Sequence, residues 1–503
     1  MRKIPATMAT QHPDNACAPY WEKDGDGFVS NYEEMDEAMS CYRDLGTEEF
    51  MWDFEGKYAD EAVIDKLFSK FYTFFKKAPL GKEKFLTFRI PNIWEEKGYA
   101  LIRALTVILT SEDFARDLKF HTPPLFEVIL PMTTSAKQLL YIQKSFHELA
   151  KLKAKIFNHN PKKNTDYIEV IPLLEGIEHQ MGIRKILQEY VRGHKKYFGY
   201  TPPYIRPFLA RSDPAVVSGH LATLLANKIA LSEMSTFSKK SGIPSHPIIG
   251  AGSLLFRGGF NPMEPKKFVS QCSGVRTVTV QSAYRYDYPL AAVKKSISWL
   301  ENNIAKFAAE IISKKEMPIA IKIARKFGRF YNETLPKILP QMQPIFKAVP
   351  RRRERRLHIG FQAYQRHMGK QALPRAINFT AAFYSIGVPP EFIGAGRAIY
   401  KMSKTEREIL HKYYPFFTND FLNVGRYLNT ENLKKLTSLN LNWGLIEKDI
   451  RLLEKHLGTH FKPKSQNDQL HKNLTSQAFI LKNKPKELSR LITESGKIRK
   501  SLG

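Results

Sequence analysis

The amino-acid sequence predicts an α/β fold, a (β/α)8 barrel of the TIM type with extensive additional α-helices. Short apolar, β-branched runs recur about every forty residues through the first 290 positions. That spacing leaves room for one helix and two loops between neighbouring runs, as a βα unit requires. Each run ends in a residue that can bind a metal or an anion, which is typical of a barrel with its chemistry at one rim. The seven runs are 48–56, 85–90, 125–132, 167–175, 205–213, 246–253 and 276–282.

The remaining segments are predicted to be helical. Residues 135–157 and 216–242 both have apolar side chains at i, i+3 and i+4, and the second segment ends at a glycine after two lysines. Residues 356–362 are the candidate for the eighth strand. We therefore expect a single catalytic domain, 1–503. Its expected parts are an N-terminal segment (1–45) folded over the barrel rim, the barrel itself (about 46–380) and a helical C-terminal elaboration (381–503).

Composition narrows the class of protein. The chain is 43% hydrophobic and 25% charged, as a globular protein with a full core would be. Three widely spaced cysteines give no disulfide or zinc pattern, and no signal sequence or apolar span stands out, so the cytoplasm is expected. The net charge of +29 attracts polyanions and small anionic substrates alike. Since the basic residues are scattered, apart from 351–356 and two lysine-rich stretches, a solvated surface is favoured over nucleic-acid binding, and no membrane partner is expected.

Two carboxylates close neighbouring strand runs. Glu175 ends the run 167–175 and Asp213 ends the run 205–213, one βα unit apart. A pair of carboxylates at adjacent strand ends can hold Mg²⁺ or Mn²⁺, with water completing the coordination shell. Either residue could instead cap a helix or pair with an arginine. Asp213 followed by Pro214 has the form of an N-cap with proline at the first helical position.

A glycine-rich segment, 250–262, follows the sixth run. Its small residues allow a close approach of backbone N–H groups to an anion, and Arg257 can add a bidentate contact. The segment predicts a phosphate site formed by Arg257, Gly258 and Gly259, although a bare turn remains the alternative.

Further arginines follow other runs, namely Arg89, Arg285, Arg366 and Arg375. Each alone is typical of a surface or ion-pairing residue. If they meet the metal pair and the glycine-rich loop at one rim, they form an electrostatic clamp for a small phosphorylated carboxylate. His12 lies before the barrel on a polar loop, where a lone histidine is more often incidental than catalytic.

Several segments together resemble a known family. They are TQHPDN (10–15), FRIPN (88–92), IPLLEG (171–176), ARSDPAVVSG (210–219), GAGSLLFRGGFNP (250–262), TVQSAYRYDYP (279–289), GFQAYQRHMG (360–369) and the terminal GKIRKSLG. In this order they are similar to phosphoenolpyruvate carboxylase of the short, archaeal type. The resemblance runs from residue 7 to 503.

The resemblance implies carboxylation of phosphoenolpyruvate by bicarbonate, through carboxyphosphate and the enolate of pyruvate, to oxaloacetate and phosphate, a supply of four-carbon acids. It implies Mg²⁺ or Mn²⁺ on Glu175 and Asp213. It further implies that His12 is the base acting on carboxyphosphate and that Arg257 and Arg89 take part in catalysis. Substrate contacts are expected from Arg257, Gly258, Gly259, Arg285, Arg366 and Arg375. A homotetramer is also implied.

The chain departs from the longer enzymes of this family at several positions. Ile249 and Ala251 stand where a histidine and an arginine are expected, and Val216 stands near an expected lysine. Arg211 and His220 are candidate substitutes. Two alternatives remain: another divalent-metal-dependent barrel acting on phosphoenolpyruvate or a related oxoacid, and a basic nucleic-acid-binding protein.

Overall fold

The computed structural model describes residues 2–54, 60–95, 99–157, 167–354, 367–368 and 371–503. Eight parallel strands close into a barrel in chain order, so the predicted (β/α)8 architecture is confirmed. The strands are β1 (Thr7–Thr10), β2 (Glu49–Asp53), β3 (Phe85–Arg89), β4 (Glu127–Leu130), β5 (Glu169–Leu174), β6 (Phe208–Ala210), β7 (Ile248–Gly250) and β8 (Thr277–Val280).

All seven sequence runs contain a barrel strand, but the eighth strand comes from an unexpected place. β1 pairs with both β2 and β8, with Met8 opposite Glu49 and Ala9 opposite Val280, and so closes the barrel. The prediction that the barrel starts near residue 46 is therefore wrong, because part of the segment 1–45 is itself a strand. Residues 356–362, the predicted eighth strand, lie outside the described residues.

A buried polar layer fills the N-terminal end of the barrel. Its side chains come from the even-numbered strands or the residues before them, the layered arrangement expected of these barrels. Arg206, ahead of β6, donates to Glu49 of β2 at 2.7 Å and to Glu127 of β4 at 2.5 Å, and it also reaches Thr277 of β8. Because these charges are paired and buried, side chains fill this end of the barrel.

Helices cover the outside of the barrel. They are α1 (Glu34–Met39), α2 (Val63–Lys77), α3 (Tyr99–Asp117), α4 (Ala136–Ile156), α5 (Ile177–Met181), α6 (Ile183–Phe198), α7 (Ser212–Ser218), α8 (His220–Ser241), α9 (Pro265–Gln271), α10 (Ser282–Tyr286) and α11 (Leu290–Asn303). A π-helical turn, Ser40–Leu45, continues α1. The predicted helix 135–157 is confirmed by α4. Among the described residues, no helix is long and apolar enough to cross a membrane.

The predicted helix 216–242 is broken. It begins within α7 and continues as α8, with Gly219 between the two helices at φ 85° and ψ 157°. A side chain at Gly219 would approach the Tyr331 ring to 2.9 Å, so the position needs both the positive φ and the missing Cβ. The break turns the chain at the end of β6, and α8 ends as predicted at Gly242, a left-handed residue.

The C-terminal elaboration predicted for 381–503 is helical, but the barrel does not extend to about residue 380, because its last strand ends at Val280 and the helix Met317–Ala348 already lies outside it. The helices of this part of the chain are α12 (Met317–Ala348), α13 (Ala376–Ser385), α14 (Ala395–Tyr400), α15 (Lys404–Tyr413), α16 (Phe417–Gly425), α17 (Thr430–Leu439), α18 (Gly444–Leu457), α19 (Gln466–Ile480) and α20 (Pro485–Arg499). A short hairpin of β9 (His367–Met368) and β10 (Gln371–Ala372) precedes α13. α12 packs along α8 and shares with it a second apolar core, distinct from the core between the barrel and its helices.

Candidate active site

A cavity of about 790 Å³ opens at the carboxyl ends of the barrel strands. Its wall includes six residues that the sequence predicts for the site: His12, Arg89, Glu175, Asp213, Arg257 and Arg375. These residues are separated by up to 363 positions in the chain; the closed barrel brings five of them to one rim, and Arg375 joins them from the start of α13. The cavity therefore lies where barrel enzymes place their chemistry.

The two carboxylates emerge from adjacent strands. β5 pairs with β6 through Leu174 opposite Leu209, and Glu175 directly follows Leu174. Gln180 is buried and donates its side-chain amide to the carbonyls of Leu174 and Ala210, both at 2.9 Å, so it fixes the two strand ends relative to each other. Glu175 and Asp213 are half-buried on the cavity wall.

Asp213 is not the N-cap that the alternative interpretation required. α7 begins at Ser212 with Arg211 in the N-cap position, so Asp213 is the second residue of the helix. A carboxylate in the first turn of a helix is favoured by the helix dipole. Its place on the cavity wall is compatible with a metal ligand.

His12 reaches the cavity from the loop after β1. Its Nδ1 lies 2.8 Å from the Thr10 hydroxyl, and its backbone carbonyl accepts from Asp14 and Ser282. The following loop is anchored by Asp287, which accepts from the N–H groups of Ala16 and Cys17 at 2.7 Å each. Burial raises the pKa of Asp287 to about 7. The N-terminal segment is thus held against the rim by side chains of the barrel.

Arg257 lies at the centre of a buried network. Its Nη1 donates to Asp14 at 2.8 Å and to the Gly503 carbonyl at 2.5 Å, Nη2 donates to Gln281 at 2.5 Å, and Nε donates to Ser212 at 3.1 Å. Four of its five N–H donors are therefore used within the protein. Burial raises the pKa of Asp14, and the Arg257 charge opposes that shift. The network leaves Arg257 rigid at the cavity wall with little donor capacity for a ligand.

Arg89 is also held by a carboxylate. It lies at the end of β3 opposite Asp53 in the strand register. Its Nε donates to one Asp53 oxygen at 2.9 Å and its Nη2 to the other at 2.5 Å. This bidentate pair fixes the plane of the guanidinium at the cavity.

The glycine-rich loop does not form the predicted nest of N–H groups. Residues Leu255–Arg257 make a 3-10 turn, in which the N–H groups of Gly258 and Gly259 donate to the carbonyls of Leu255 and Leu254. These two glycines, at φ 124° and 76°, line a second and smaller cavity instead. Because the N–H groups of Gly258 and Gly259 donate within the turn, this geometry gives no support to their predicted phosphate contact, which stays a prediction.

Arg285 is likewise outside the cavity. It is fully buried in α10 and donates to Glu37 at 2.8 Å, to the Thr10 carbonyl at 2.8 Å and to Ser282. Its contact with the Thr10 carbonyl fixes the end of β1 next to His12, and its predicted substrate contact stays a prediction without support in this geometry. Arg366, the remaining predicted contact, lies outside the described residues.

Several cavity residues were missed in the sequence. Arg351, Arg352 and Arg353 belong to the basic stretch that favoured a solvated surface, yet all three line the cavity. Arg353 is buried and ion-paired with Glu37. Asp14 and Gln281, the partners of Arg257, were not predicted either. Asp14 lies within TQHPDN, two residues after His12, so this motif is the signal that could have identified it.

The cavity wall is strongly cationic. Among the described residues, eight lysines and arginines line it against two carboxylates, Glu175 and Asp213. The eight are Arg89, Arg211, Arg257, Lys347, Arg351, Arg352, Arg353 and Arg375. Charges that converge in a cleft raise the local concentration of anions. The arrangement suits a small substrate with several negative charges.

Fold and cavity together define a (β/α)8-barrel enzyme with a cavity rich in positive charge at the carboxyl ends of its strands. The family model described as phosphoenolpyruvate carboxylase matches residues 4–503. A protein of Leuconostoc mesenteroides named phosphoenolpyruvate carboxylase is 44% identical over 503 residues, covering 100% of this chain and 99% of that one. One of the same name from the archaeon Metallosphaera sedula is 36% identical over 525 residues, covering 100% of both chains. The chain therefore belongs to the phosphoenolpyruvate carboxylase family, as the resemblance of its motifs implied.

Proposed function

We propose that this chain carboxylates phosphoenolpyruvate with bicarbonate, yielding oxaloacetate and phosphate, and that the cavity at the strand ends is where it does so. Membership of the family supports the reaction. The observation that carries the site is the meeting of Glu175 and Asp213 with eight cations in one cavity. A trianionic substrate needs that excess of positive charge.

Glu175 and Asp213 fit a divalent cation. Both are carboxylates on neighbouring strand ends, and among the described residues no cluster of three or more His, Cys, Asp or Glu side chains offers a fuller protein cage. Mg²⁺ prefers one or two protein carboxylates with water and substrate oxygens as its other ligands, and Mn²⁺ also accepts such a set. Glu175 and Asp213 would supply these two carboxylates. When bound, such a cation supplies Lewis-acid stabilisation of the developing enolate oxygen.

The chain's own residues then have two tasks. The arginines hold the phosphoryl group in line while a bicarbonate oxygen bonds to phosphorus and the bond from phosphorus to the enol oxygen breaks, which gives carboxyphosphate and pyruvate enolate. Arg89 is fixed for this task by Asp53, while Arg257, whose donors are mostly used within the protein, contributes chiefly its positive charge. Arg375, exposed at the start of α13, adds charge from the C-terminal layer.

His12 takes the proton of carboxyphosphate. Loss of that proton lets the bond from carbon to the phosphate oxygen break, which releases CO₂ and phosphate, and the enolate carbon then bonds to CO₂ to give oxaloacetate. Imidazole suits this step because its ordinary pKa lies near neutrality. The Thr10 hydroxyl, 2.8 Å from Nδ1, orients the ring.

A coupled assay tests the function. The protein is incubated with phosphoenolpyruvate, Mg²⁺ and bicarbonate, and oxaloacetate is reduced by malate dehydrogenase with NADH. Oxidation of NADH that requires bicarbonate is expected. Pyruvate as the sole product would contradict the proposal.

Assembly and compartment belong to the same proposal. We expect a homotetramer, so light scattering after size exclusion should give four times the 57.9 kDa subunit mass. We place it in the cytoplasm, a reducing compartment, in agreement with its three unpaired cysteines. We expect no nucleic-acid partner, because the conspicuous basic stretch turns three of its arginines to the cavity.

A further inference from the structure

Arg211 is a buried cation whose partner is missing from the described protein. It is 2% exposed and lies between the end of β6 and Asp213. None of the described side chains or backbone groups forms a hydrogen bond or an ion pair with its guanidinium. Since an unpaired buried charge is costly, a residue of this kind is retained where a ligand supplies the opposite charge.

The other fully buried arginines of the barrel do have carboxylate partners. Arg206 pairs with Glu49 and Glu127, Arg257 with Asp14, and Arg285 with Glu37. Arg211 differs from all three. The fold therefore provides carboxylate partners for these three buried arginines, but it provides none for Arg211 among the described residues.

Arg211 lines two cavities at once. One is the large cavity of the site, and the other has a volume of about 40 Å³ and lies behind the glycine-rich loop, against Gly258, Gly259 and Leu255. In this measure a single water needs about 10–15 Å³. The small cavity thus has room for an anion of three or four heavy atoms, but not for a phosphorylated three-carbon acid.

Neighbouring polar groups do not neutralise Arg211. Asp420 attracts the Arg211 charge but forms no ion pair with it, since Lys267 donates to one Asp420 oxygen and the Tyr414 hydroxyl to the other, both at 2.7 Å. Glu264 lies 3.6 Å from the same lysine. Burial together with the Arg211 charge holds the pKa of His220 well below its ordinary value, and an imidazole carries no negative charge that could compensate Arg211.

We propose that Arg211 binds bicarbonate at the junction of the two cavities and presents it to the phosphoryl group beside Asp213. This inference rests on the proposed function and assigns the site of its second substrate. A planar guanidinium matches a carbonate-type oxyanion with two parallel N–H donors. Arg257 is less suited to this task, because four of its five donors are already used.

Steady-state kinetics of Arg211→Gln test the assignment. We expect the KM for bicarbonate to rise at least about tenfold, because one charge-assisted bidentate contact is lost. The KM for phosphoenolpyruvate should change less than about twofold. Arg211→Lys keeps the positive charge but not the two parallel N–H donors, so its KM for bicarbonate should lie between those of wild type and Arg211→Gln. Arg192→Gln, which removes an exposed charge from α6, is the matched control and should behave as wild type. An unchanged KM for bicarbonate, or an equal rise for phosphoenolpyruvate, would overturn the assignment.

Stability separates a ligand-binding arginine from a structural one. Removal of an unpaired buried charge should leave the Tm of Arg211→Gln equal to that of wild type or higher. A lower Tm with both KM values unchanged would mean that Arg211 serves only the fold.

Binding can also be followed without turnover. Nitrate, a planar monoanion, should raise the Tm of wild type and of Arg192→Gln but not that of Arg211→Gln. Equal shifts in all three proteins would exclude the anion site. If wild type made no oxaloacetate while nitrate still distinguished Arg211→Gln, the anion site would stand and the proposed reaction would fail.

Discussion

Asp213 is the residue on which the metal proposal depends most directly. Asp213→Asn keeps the size and the helix position of the side chain but removes its charge, so we expect activity to be abolished while the Tm stays close to wild type. Turnover should be measured across a titration of Mn²⁺, with the Tm as the control for folding. Near-normal turnover at saturating Mn²⁺ would refute the assignment.

His12 should decide what happens to carboxyphosphate. In His12→Asn, phosphoryl transfer to bicarbonate should continue, but CO₂ release should be slow, and the waiting enolate should take a proton and leave as pyruvate. The measurement is the ratio of pyruvate to oxaloacetate, from lactate and malate dehydrogenase assays run in parallel. The parental ratio in the mutant would remove His12 from the mechanism.

Single residues at strand ends could be identified from the sequence, but their partners could not. Glu175 and Asp213 each end an apolar run, and a parallel barrel brings all such ends together. Arg285 also follows a run, yet it turns to Glu37 in α1, a contact 248 positions away. Spacing along the chain shows which end of a strand a residue occupies, and not whether a distant carboxylate pairs with it first.

The glycine-rich loop is an element held in place by a buried acid. Glu391 accepts from the Phe256 N–H at 2.7 Å and from the Tyr384 hydroxyl at 2.6 Å, both on the same oxygen. Burial raises the pKa of Glu391 to about 7. Because this pKa lies above the value in the unfolded chain, its contribution to stability is fully present below about pH 4.5 and is lost as the pH rises through about 7.

Glu391→Gln should remove that pH dependence. The amide oxygen can keep both hydrogen bonds, so the variant should match wild type near pH 4.5 and exceed it above pH 7, by roughly 3 kcal/mol if the whole shift is realised. Urea unfolding at a series of pH values gives the comparison. A variant that loses stability relative to wild type as the pH rises would contradict the shifted pKa.

Strand β1 was not predicted from the sequence. Its four residues, Thr7–Thr10, are too short and too polar to stand out as an apolar run. They form a strand because the gap between β2 and β8 offers backbone partners on both sides, with Met8 opposite both Glu49 and Thr279. Tertiary pairing therefore outweighs local preference here, and it also explains why His12 reaches the rim.

At the scale of the whole molecule, the charge distribution separates the carboxylase from a nucleic-acid-binding protein. The net charge of +29 is a property of the whole chain, whereas eight cations are concentrated around one cavity. Binding to a polyanion would use the outer surface, while a small trianion would be steered to the cavity. If the chain binds a polyanion, the charges of the outer surface control how binding responds to salt. If it binds a small trianion, the charges around the cavity control that response.

We therefore expect kcat/KM for phosphoenolpyruvate to fall several-fold as ionic strength rises from about 10 mM to about 100 mM, over which the Debye length shrinks from about 30 Å to about 10 Å. Arg351→Gln, at the exposed edge of the cavity, should flatten the dependence, because it removes one of the steering charges. Arg192→Gln, on the outer face of α6, removes the same charge and should leave the slope unchanged. Acetate and chloride salts should be compared so that competition by chloride is separated from screening. Equal slopes for the two variants would show that the total charge of the chain, and not its concentration around the cavity, attracts the substrate.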